Sequence, residues 1–176
     1  DGQRKAQGEE CDLRVSGDIY FPGRRDFVKE AGNMKFSATV TLQYDTIFSS
    51  FSHSDYLKGL DWMKESGLDG AELCISNYND IDVYKIKDEL DRRGLGCSTL
   101  STGQARGMEG IALTGAGEAA SEAAQKRFMQ HIDAASVLKS KVTVGLLRGL
   151  GAEATREKDL EQLRESMPPL VDYADK

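Results

Sequence analysis

The chain has 176 residues, of which 39% are hydrophobic and 30% are charged, and its formal net charge is −6. This length and composition are typical of one soluble domain with a sizeable core. They argue against a membrane protein, because no apolar run approaches the roughly 20 residues of a membrane span. They also disfavour a nucleic-acid binder, which would normally carry a basic patch.

The three cysteines, Cys11, Cys74 and Cys97, stand at spacings that match no metal-binding or redox motif. An odd number of isolated cysteines indicates buried thiols in a reducing compartment. The chain also shows no apolar segment of the kind that a signal peptide requires. We therefore expect a cytoplasmic protein.

The first 33 residues read differently from the rest, because they show no sustained helical or strand periodicity. The chain starts at Asp1, whereas Met34 opens a regular strand pattern. Our hypothesis is that Met34 is the natural start and that residues 1–33 are upstream sequence translated in frame. The alternative is a genuine disordered extension. Mass spectrometry of the native protein separates the two, since a peptide from before Met34 would contradict the first.

The predicted elements begin with a strand over residues 36–41 and a polar loop over 43–53. The next segment repeats apolar side chains at helical spacing. Ser54 is the predicted N-cap of this helix, and Gly67 is the predicted left-handed residue at its end. A second strand follows over residues 71–75.

The second half of the pattern continues the alternation. It predicts a helix over 82–93, a third strand over 96–100 and a long helix over 118–139. The fourth predicted strand, 142–147, is nearly continuous in apolar residues, as expected for a strand that is covered on both faces. A glycine-rich loop separates the third strand from the long helix.

The last predicted helix begins near Thr155. Pro168 and Pro169 should interrupt it, because proline lacks the N–H donor and clashes with the preceding turn. A second helical segment is expected to restart there.

Four strand–helix units in succession predict an α/β fold with a parallel sheet and right-handed crossovers. No GxGxxG follows the first strand, which disfavours a dinucleotide-binding Rossmann domain. A (β/α) barrel and a flavodoxin-like sheet remain. A full barrel has eight units in about 250 residues, so residues 34–176 are expected to form a partial (β/α)8 TIM barrel, its first four units, behind a poorly ordered extension.

Several segments together carry a family resemblance, which extends from Met34 to about Lys176. They are Gly70-Ala71-Glu72-Leu73, Ser101-Thr102-Gly103-Gln104-Ala105, Glu109-Gly110-Ile111-Ala112-Leu113-Thr114, His131-Ile132-Asp133-Ala134-Ala135 and Gly145-Leu146-Leu147-Arg148-Gly149. In this order and spacing they resemble the amino-terminal half of the xylose-isomerase-like TIM barrels. Within these, the chain is similar to the sugar phosphate isomerase/epimerase group, which includes the ketose 3-epimerases and the 5-keto-L-gluconate epimerases.

The resemblance implies a divalent metal, Mn, Mg or Co, held by two glutamates, an aspartate and a histidine. It also implies that the two glutamates move a proton through an enediolate that the metal stabilises. Those four ligands belong to the later strands of the family's barrel, and no residue of this chain matches them. No catalytic residue and no metal ligand is therefore assigned here, and the fragment is expected to be inactive alone.

Five residues are candidates for binding a sugar substrate. Arg148, at the end of the fourth strand, would clamp a carboxylate or hydroxyls, with a structural salt bridge as the alternative. Gln104 would bind sugar hydroxyls, with bonding inside its own loop as the alternative. Thr102 and Gly103 are expected mainly to shape that turn. Glu72 lies in an otherwise apolar strand, and a structural ion pair is favoured over a carboxylate that points into the barrel.

Three other residues are interpreted as structural. His131 is expected to be a packed or capping histidine, His53 an exposed loop residue, and Trp62 a core or helix-packing residue.

Three functions are therefore weighed. The first is a metal-dependent epimerase or isomerase that acts on a keto-sugar or keto-sugar acid, with a small-molecule sugar as its partner. The second is a non-catalytic half-barrel that forms a homo-oligomer or binds sugar passively. The third is an endonuclease-IV-like DNA repair barrel. Such a barrel requires metal-binding histidines early in the chain and a basic groove, whereas this chain has two histidines and a net charge of −6.

Overall fold

The computed structural model describes residues 34–176, so the expectations about the 1–33 extension lie outside the described residues. Strands and helices alternate through the described range. Their bounds are β1 Ser37–Thr41, α1 Tyr56–Glu65, β2 Gly70–Cys74, α2 Val83–Arg93, β3 Gly96–Ser101, α3 Gly103–Glu109, α4 Glu118–Leu138, β4 Lys141–Thr143 and α5 Arg156–Ala174. Short 3-10 turns lie at His53–Asp55, Gly145–Arg148 and Glu153–Thr155.

The sheet has the strand order β1-β2-β3-β4, and each neighbouring pair is parallel. A flavodoxin-like sheet would place its first strand in the interior, in the order 2-1-3-4-5. The sequential order seen here is that of a (β/α) barrel. The flavodoxin-like alternative is therefore excluded, and the predicted fold class, the first four units of a TIM barrel, is confirmed.

The helices lie in a row, as they do around a barrel. Helix α1 contacts α2, α2 contacts α4, and α4 contacts α5. Beneath them, Val40, Leu73 and Leu100 occupy equivalent positions of adjacent strands and are fully buried. This row anchors the main core, because a branched side chain on every strand meets the helix layer at the same level.

The opposite rows of the sheet are polar. Thr39 pairs with Glu72, and Glu72 pairs with Thr99. A register shift between Ala71 and Glu72 inserts one extra residue into β3, which puts Thr99 rather than Ser98 opposite Glu72. The sheet therefore has one apolar face under the helices and one polar face, which would be the inside of a closed barrel.

Helix α2 is capped at both ends, by Asp82, which was expected to be its first residue, and by Gly94. The Asp82 carboxylate accepts hydrogen bonds from the backbone N–H groups of Tyr84 and Lys85, both at 3.1 Å. Gly94 ends the helix in the left-handed region with φ 68°, and Gly67 follows α1 with φ 72°.

The predicted Ser54 cap is wrong. The chain enters α1 through the His53–Asp55 turn, and the Ser54 hydroxyl lies 2.9 Å from the Ser52 hydroxyl. Asp45, eight residues upstream of His53, accepts the His53 backbone N–H at 2.9 Å. A loop carboxylate therefore binds an N–H group just ahead of the helix, where the sequence suggested a serine cap.

Strand β4 is shorter than the predicted 142–147. The Thr102 hydroxyl lies 2.9 Å from the carbonyl oxygens of both Thr143 and Val144, and Gly145, with φ 47°, turns the chain away from the sheet. Leu147 is then buried against α3, α4 and α5 instead of in a strand. The apolar run thus predicted burial correctly and the type of element wrongly.

The two remaining differences concern helices. Residues 103–109, expected to be loop, form α3, which ends at Gly110 with φ 70°. Helix α5 runs unbroken from Arg156 to Ala174 through Pro168 and Pro169. The two carbonyl groups that lose donors there belong to the exposed residues Arg164 and Glu165, so water can bind them.

Candidate functional site

The carboxyl ends of the four parallel strands meet at one edge of the sheet, where (β/α) barrels build their sites. Four loops leave that edge, and side chains of one loop bind the backbone of another. These cross-links define the candidate site.

Gln104, in the first turn of α3, bonds to the end of β1 and to the loop that follows β1. Its Nε2 donates to Thr41 Oγ1 at 3.0 Å and to the Tyr44 carbonyl oxygen at 2.6 Å. Because a carbonyl can only accept, the Tyr44 contact fixes which end of the amide faces it. Gln104 Oε1 is buried and has no partner within residues 34–176. The amide nitrogen therefore bonds to a different segment and not inside its own loop, and the amide oxygen is left for another donor.

Gln43 makes a second cross-link, which sequence reasoning missed. Its Oε1 accepts from the backbone N–H groups of Ser76 and Asn77 at 2.8 and 3.0 Å, and its Nε2 donates to Asn77 Oδ1 at 3.1 Å. A side chain just after β1 thus accepts hydrogen bonds from the backbone N–H groups at the start of the loop after β2. The partners lie 33 and 34 positions away, so no local pattern signals them.

Glu109 and Arg127 form the third cross-link, also missed from the sequence. The guanidinium NH1 and NH2 lie 2.8 and 3.0 Å from Glu109 Oε1 and Oε2. Burial disfavours the ionised form of Glu109, but hydrogen bonds from Arg127, Ser76 and Asn77 outweigh burial and hold its pKa below the usual value. Glu109 is therefore a fixed anion near neutral pH.

Thr102 connects the end of β3 to the end of β4, whereas Gly103 is the first residue of α3. Thr102 is fully buried, and its hydroxyl binds the end of β4 as described above. A Cβ at Gly103 would lie 3.7 Å from the Leu146 side chain, which is ordinary contact. In this conformation Thr102 has no surface with which to touch a ligand.

Arg148 lies in the turn after β4 and is exposed. Its NH1 donates to the Gly145 carbonyl oxygen at 2.9 Å. Among the described residues it makes no salt bridge, which was the structural alternative. A guanidinium has five N–H donors, so most of them remain available at this rim.

Glu72 is half-buried in the middle of the polar face. Its Oε2 accepts a hydrogen bond from Thr39 Oγ1 at 3.3 Å. The structural ion pair favoured from the sequence is not present in the described part of the chain; Glu72 projects from the barrel side of the sheet.

His131 is packed, as expected. It is fully buried, and its Nδ1 lies 2.6 Å from the Tyr78 hydroxyl, with the two rings edge to face at 5.3 Å. Burial, followed by the positive charge of Arg127, lowers the pKa of His131 to about 4. Burial also raises the pKa of Tyr78 above its usual value. Both groups are neutral at pH 7.

The other two side chains interpreted as structural, His53 and Trp62, both lie at the surface. His53 is exposed and pairs with Asp45 at 2.9 Å, as a loop residue should. Trp62 is about half exposed and packs on Phe51 with ring centroids 6.0 Å apart, so it lies on the helix surface and not in the core.

Burial raises the pKa of the Cys74 and Cys97 thiols, which disfavours their reactive form.

A metal site needs several ligating side chains close together. Within 34–176, no group of three or more His, Cys, Asp or Glu side chains is placed to hold a metal ion. The ligand set that the family resemblance implies therefore does not fit this part of the chain. No helix of the described range is long and apolar enough to cross a membrane.

The sequential parallel sheet, with helices in a row and a polar inner face, defines half of a (β/α) barrel. The model of the xylose isomerase-like TIM barrel family matches residues 60–176, and the chain belongs to that family. A comparison with curated protein sequences finds no match.

Solved structures share this fold at low identity. D-allulose 3-epimerase from a Methylomonas species matches with a TM-score of 0.59 and 18% identity over 80% of this chain and 47% of its own. L-ribulose 3-epimerase matches with 0.57 and 18% over 78% and 46%. The 3-keto-D-glucoside 4-epimerase of E. coli matches with 0.55 and 16% over 81% and 52%. The chain thus spans about half the length of each of these epimerases.

Proposed function

We propose that this chain supplies the first four β/α units of a cytoplasmic, metal-dependent epimerase that acts on a keto-sugar or keto-sugar acid. The observation that carries the proposal is the polar inner face of the sheet and its cross-linked strand ends. Sugars need many hydrogen-bonding groups, and this face offers hydroxyls, amides and one carboxylate. Support also comes from the solved structures of the same fold, which are epimerases of D-allulose, L-ribulose and a 3-keto-D-glucoside.

The catalytic groups are assigned to the part of the barrel outside residues 34–176. Within residues 34–176, no three His, Cys, Asp or Glu side chains are placed together to hold a divalent metal. The family resemblance implies that two glutamates remove and return a proton beside the ketone, through an enediolate. In this proposal the present chain binds and orients the sugar, and the remaining units perform the proton transfer.

Within the chain, we assign substrate binding to Arg148, Gln104 and Glu72. The exposed Arg148 guanidinium can bind a carboxylate in two parallel hydrogen bonds. Gln104 Oε1 is buried and has no donor among residues 34–176, and a sugar hydroxyl would supply one once this atom is uncovered. Thr102 and Gly103 support this site by fixing the turn after β3.

The experiment compares two versions of the protein, one ending at Lys176 and one with its reading frame continued past the Lys176 codon. Both are incubated in D2O with D-allulose, L-ribulose or 5-keto-L-gluconate and with Mn2+, Mg2+ or Co2+. Deuterium incorporation at the epimerised carbon is followed by NMR. We expect incorporation only with the continued version and metal. Epimerisation by residues 34–176 alone would refute the proposal.

A second candidate is the non-catalytic half-barrel. It rests on β1 and β4, each of which has one strand partner within the described range and so leaves an unpaired edge. Such a module would pair with a second copy or hold sugar without turnover, and its association state tests it.

A further inference from the structure

The Glu109–Arg127 pair is partly buried, as is the Glu89–Arg93 pair within α2, but unlike that pair it joins different elements of the chain. Its two side chains are 27% and 14% exposed, whereas those of the Glu161–Arg164 pair on α5 are 63% and 68% exposed. Both of its guanidinium–carboxylate contacts lie at hydrogen-bonding distance. A bidentate, partly buried contact of this kind holds its geometry, while an exposed pair contributes little.

The pair reaches three segments of the chain. Arg127 comes from the middle of α4, and Glu109 is the last residue of α3. Glu109 Oε1 also accepts from Ser76 Oγ at 2.8 Å and from Asn77 Nδ2 at 3.2 Å. Arg127 NH1 donates in addition to the Ser76 carbonyl oxygen. One ion pair therefore ties the loops after β2 and β3 to the helix layer.

Helix stability does not explain Glu109. A negative charge in the last turn of a helix is disfavoured by the helix dipole. Helix α3 has only seven residues, so it has little stability of its own. The position of Glu109 is explained by its contacts with Arg127, Ser76 and Asn77, which hold α3 against α4 and the loop after β2.

We propose that Glu109 and Arg127 are positioning residues that fix α3 and the Ser76–Asn77 turn relative to each other, and so set the sugar-binding geometry between β2 and β3. The inference rests on the proposed function for its sugar-binding half. Its structural half stands on the contacts above. Neither residue needs to touch the substrate, and both act through the loops that they hold.

The first arm of the test is amide hydrogen exchange on the full chain. The variants are Glu109→Gln, which removes the charge at constant size, and Arg127→Lys, which keeps the charge but loses the planar fork. We expect exchange at residues 76–80 and 103–110 to rise at least tenfold in both, and exchange in β2 and β3 to change less than twofold. The matched control Glu161→Gln should leave all of these segments within twofold.

The second arm is titration with D-allulose, L-ribulose and 5-keto-L-gluconate, followed by NMR shifts of the backbone amides. We expect Arg127→Lys and Glu109→Gln to weaken binding at least fivefold, and Glu161→Gln to leave it unchanged. Wild-type affinity in Arg127→Lys would mean that charge alone suffices, and it would overturn the positioning role.

The two arms separate the possible failures. If the wild-type chain binds none of the three sugars, the proposed sugar-binding function of this half fails, while the exchange arm still decides whether the pair fixes the loops. If exchange is unchanged in the variants, or rises evenly across the sheet, the inference is overturned even when sugar binds.

Discussion

His131 is a neutral imidazole inside the fold, and its burial has a direct consequence for stability. The folded state holds the pKa of this group at about 4, whereas the unfolded chain would titrate near 6.5. Between these two values the unfolded state binds one more proton than the folded state. Stability is therefore lost as the pH falls through this window.

The corresponding prediction uses His131→Gln, which keeps a polar partner for Tyr78 but does not titrate. Between pH 7 and pH 4, the wild-type free energy of unfolding should fall by about 3 kcal/mol more than that of the variant. Urea unfolding at each pH measures both. Acid-sensitive groups that do not interact with His131 cancel in the difference. Parallel curves for the two proteins would contradict the prediction.

Arg148 carries the prediction about substrate class. If it binds the carboxylate of a keto-sugar acid, Arg148→Ala should weaken binding of 5-keto-L-gluconate by at least about 10- to 100-fold, the range for a single hydrogen bond to a charged group. Binding of the neutral D-allulose should change little. Arg148→Lys should recover part of the loss. Equal losses for both sugars would show that Arg148 recognises hydroxyls or supports the loop.

Single residues also show where sequence reasoning stops. The role of Asp82 as a cap was predictable because its partners are two and three positions away. Gln104 was expected in a loop but lies in α3, and its partner Thr41 is 63 positions away. Arg127 belongs to a long helix and has no local feature that sets it apart. The side chains that connect the strand ends bind residues that are distant in the sequence. The identity of a residue does not predict which distant residue it will contact.

At the scale of elements, the turn after β4 depends on Gly149. Its φ is 111°, and a Cβ there would lie 2.2 Å from Thr114 Oγ1 and 2.7 Å from the Thr114 carbonyl oxygen. Thr114 in turn donates its N–H and its hydroxyl to the Arg148 carbonyl oxygen at 3.1 and 2.8 Å. This pairing joins the segment after α3 to the segment after β4, so crowding at Gly149 would separate them.

We expect Gly149→Ala to destabilise the protein by about 2–4 kcal/mol, from backbone strain and overpacking together. The control is Gly107→Ala, inside α3, where a Cβ meets nothing within 4 Å. It should stabilise by about 0.5–1 kcal/mol, because alanine favours a helix more than glycine does. Thermal and urea unfolding measure both. An equal effect of the two substitutions would contradict this account of the turn.

Elements were predicted well where local chemistry defines them and poorly where tertiary contacts do. The β2 and β3 strands and α2 follow alternation, caps and glycine stops. The end of β4 instead depends on the Thr102 hydroxyl, 41 residues away from Thr143. Helix α5 continues through its two prolines, where the local rule predicted a break.

At the scale of the whole molecule, the sheet has two unpaired edges within residues 34–176, at β1 and β4. Unpaired edges promote association. We expect the chain to associate with rising concentration, as measured by sedimentation velocity. Thr143→Lys places a charge on the β4 edge and should reduce association, whereas Ala119→Lys adds the same charge on α4 and should not. A monomer at all concentrations with a cooperative melt would contradict the prediction.

The row formed by Thr39, Glu72 and Thr99 has a further consequence. The lumen of most (β/α) barrels is packed with branched aliphatic side chains in layers. Here the inner face instead carries two hydroxyls flanking a carboxylate on adjacent strands. Any segment that closes the barrel must therefore place hydrogen-bond donors opposite Glu72, such as an arginine, a lysine or an ordered water. Aliphatic side chains there would leave a buried carboxylate without a partner, which is strongly destabilising.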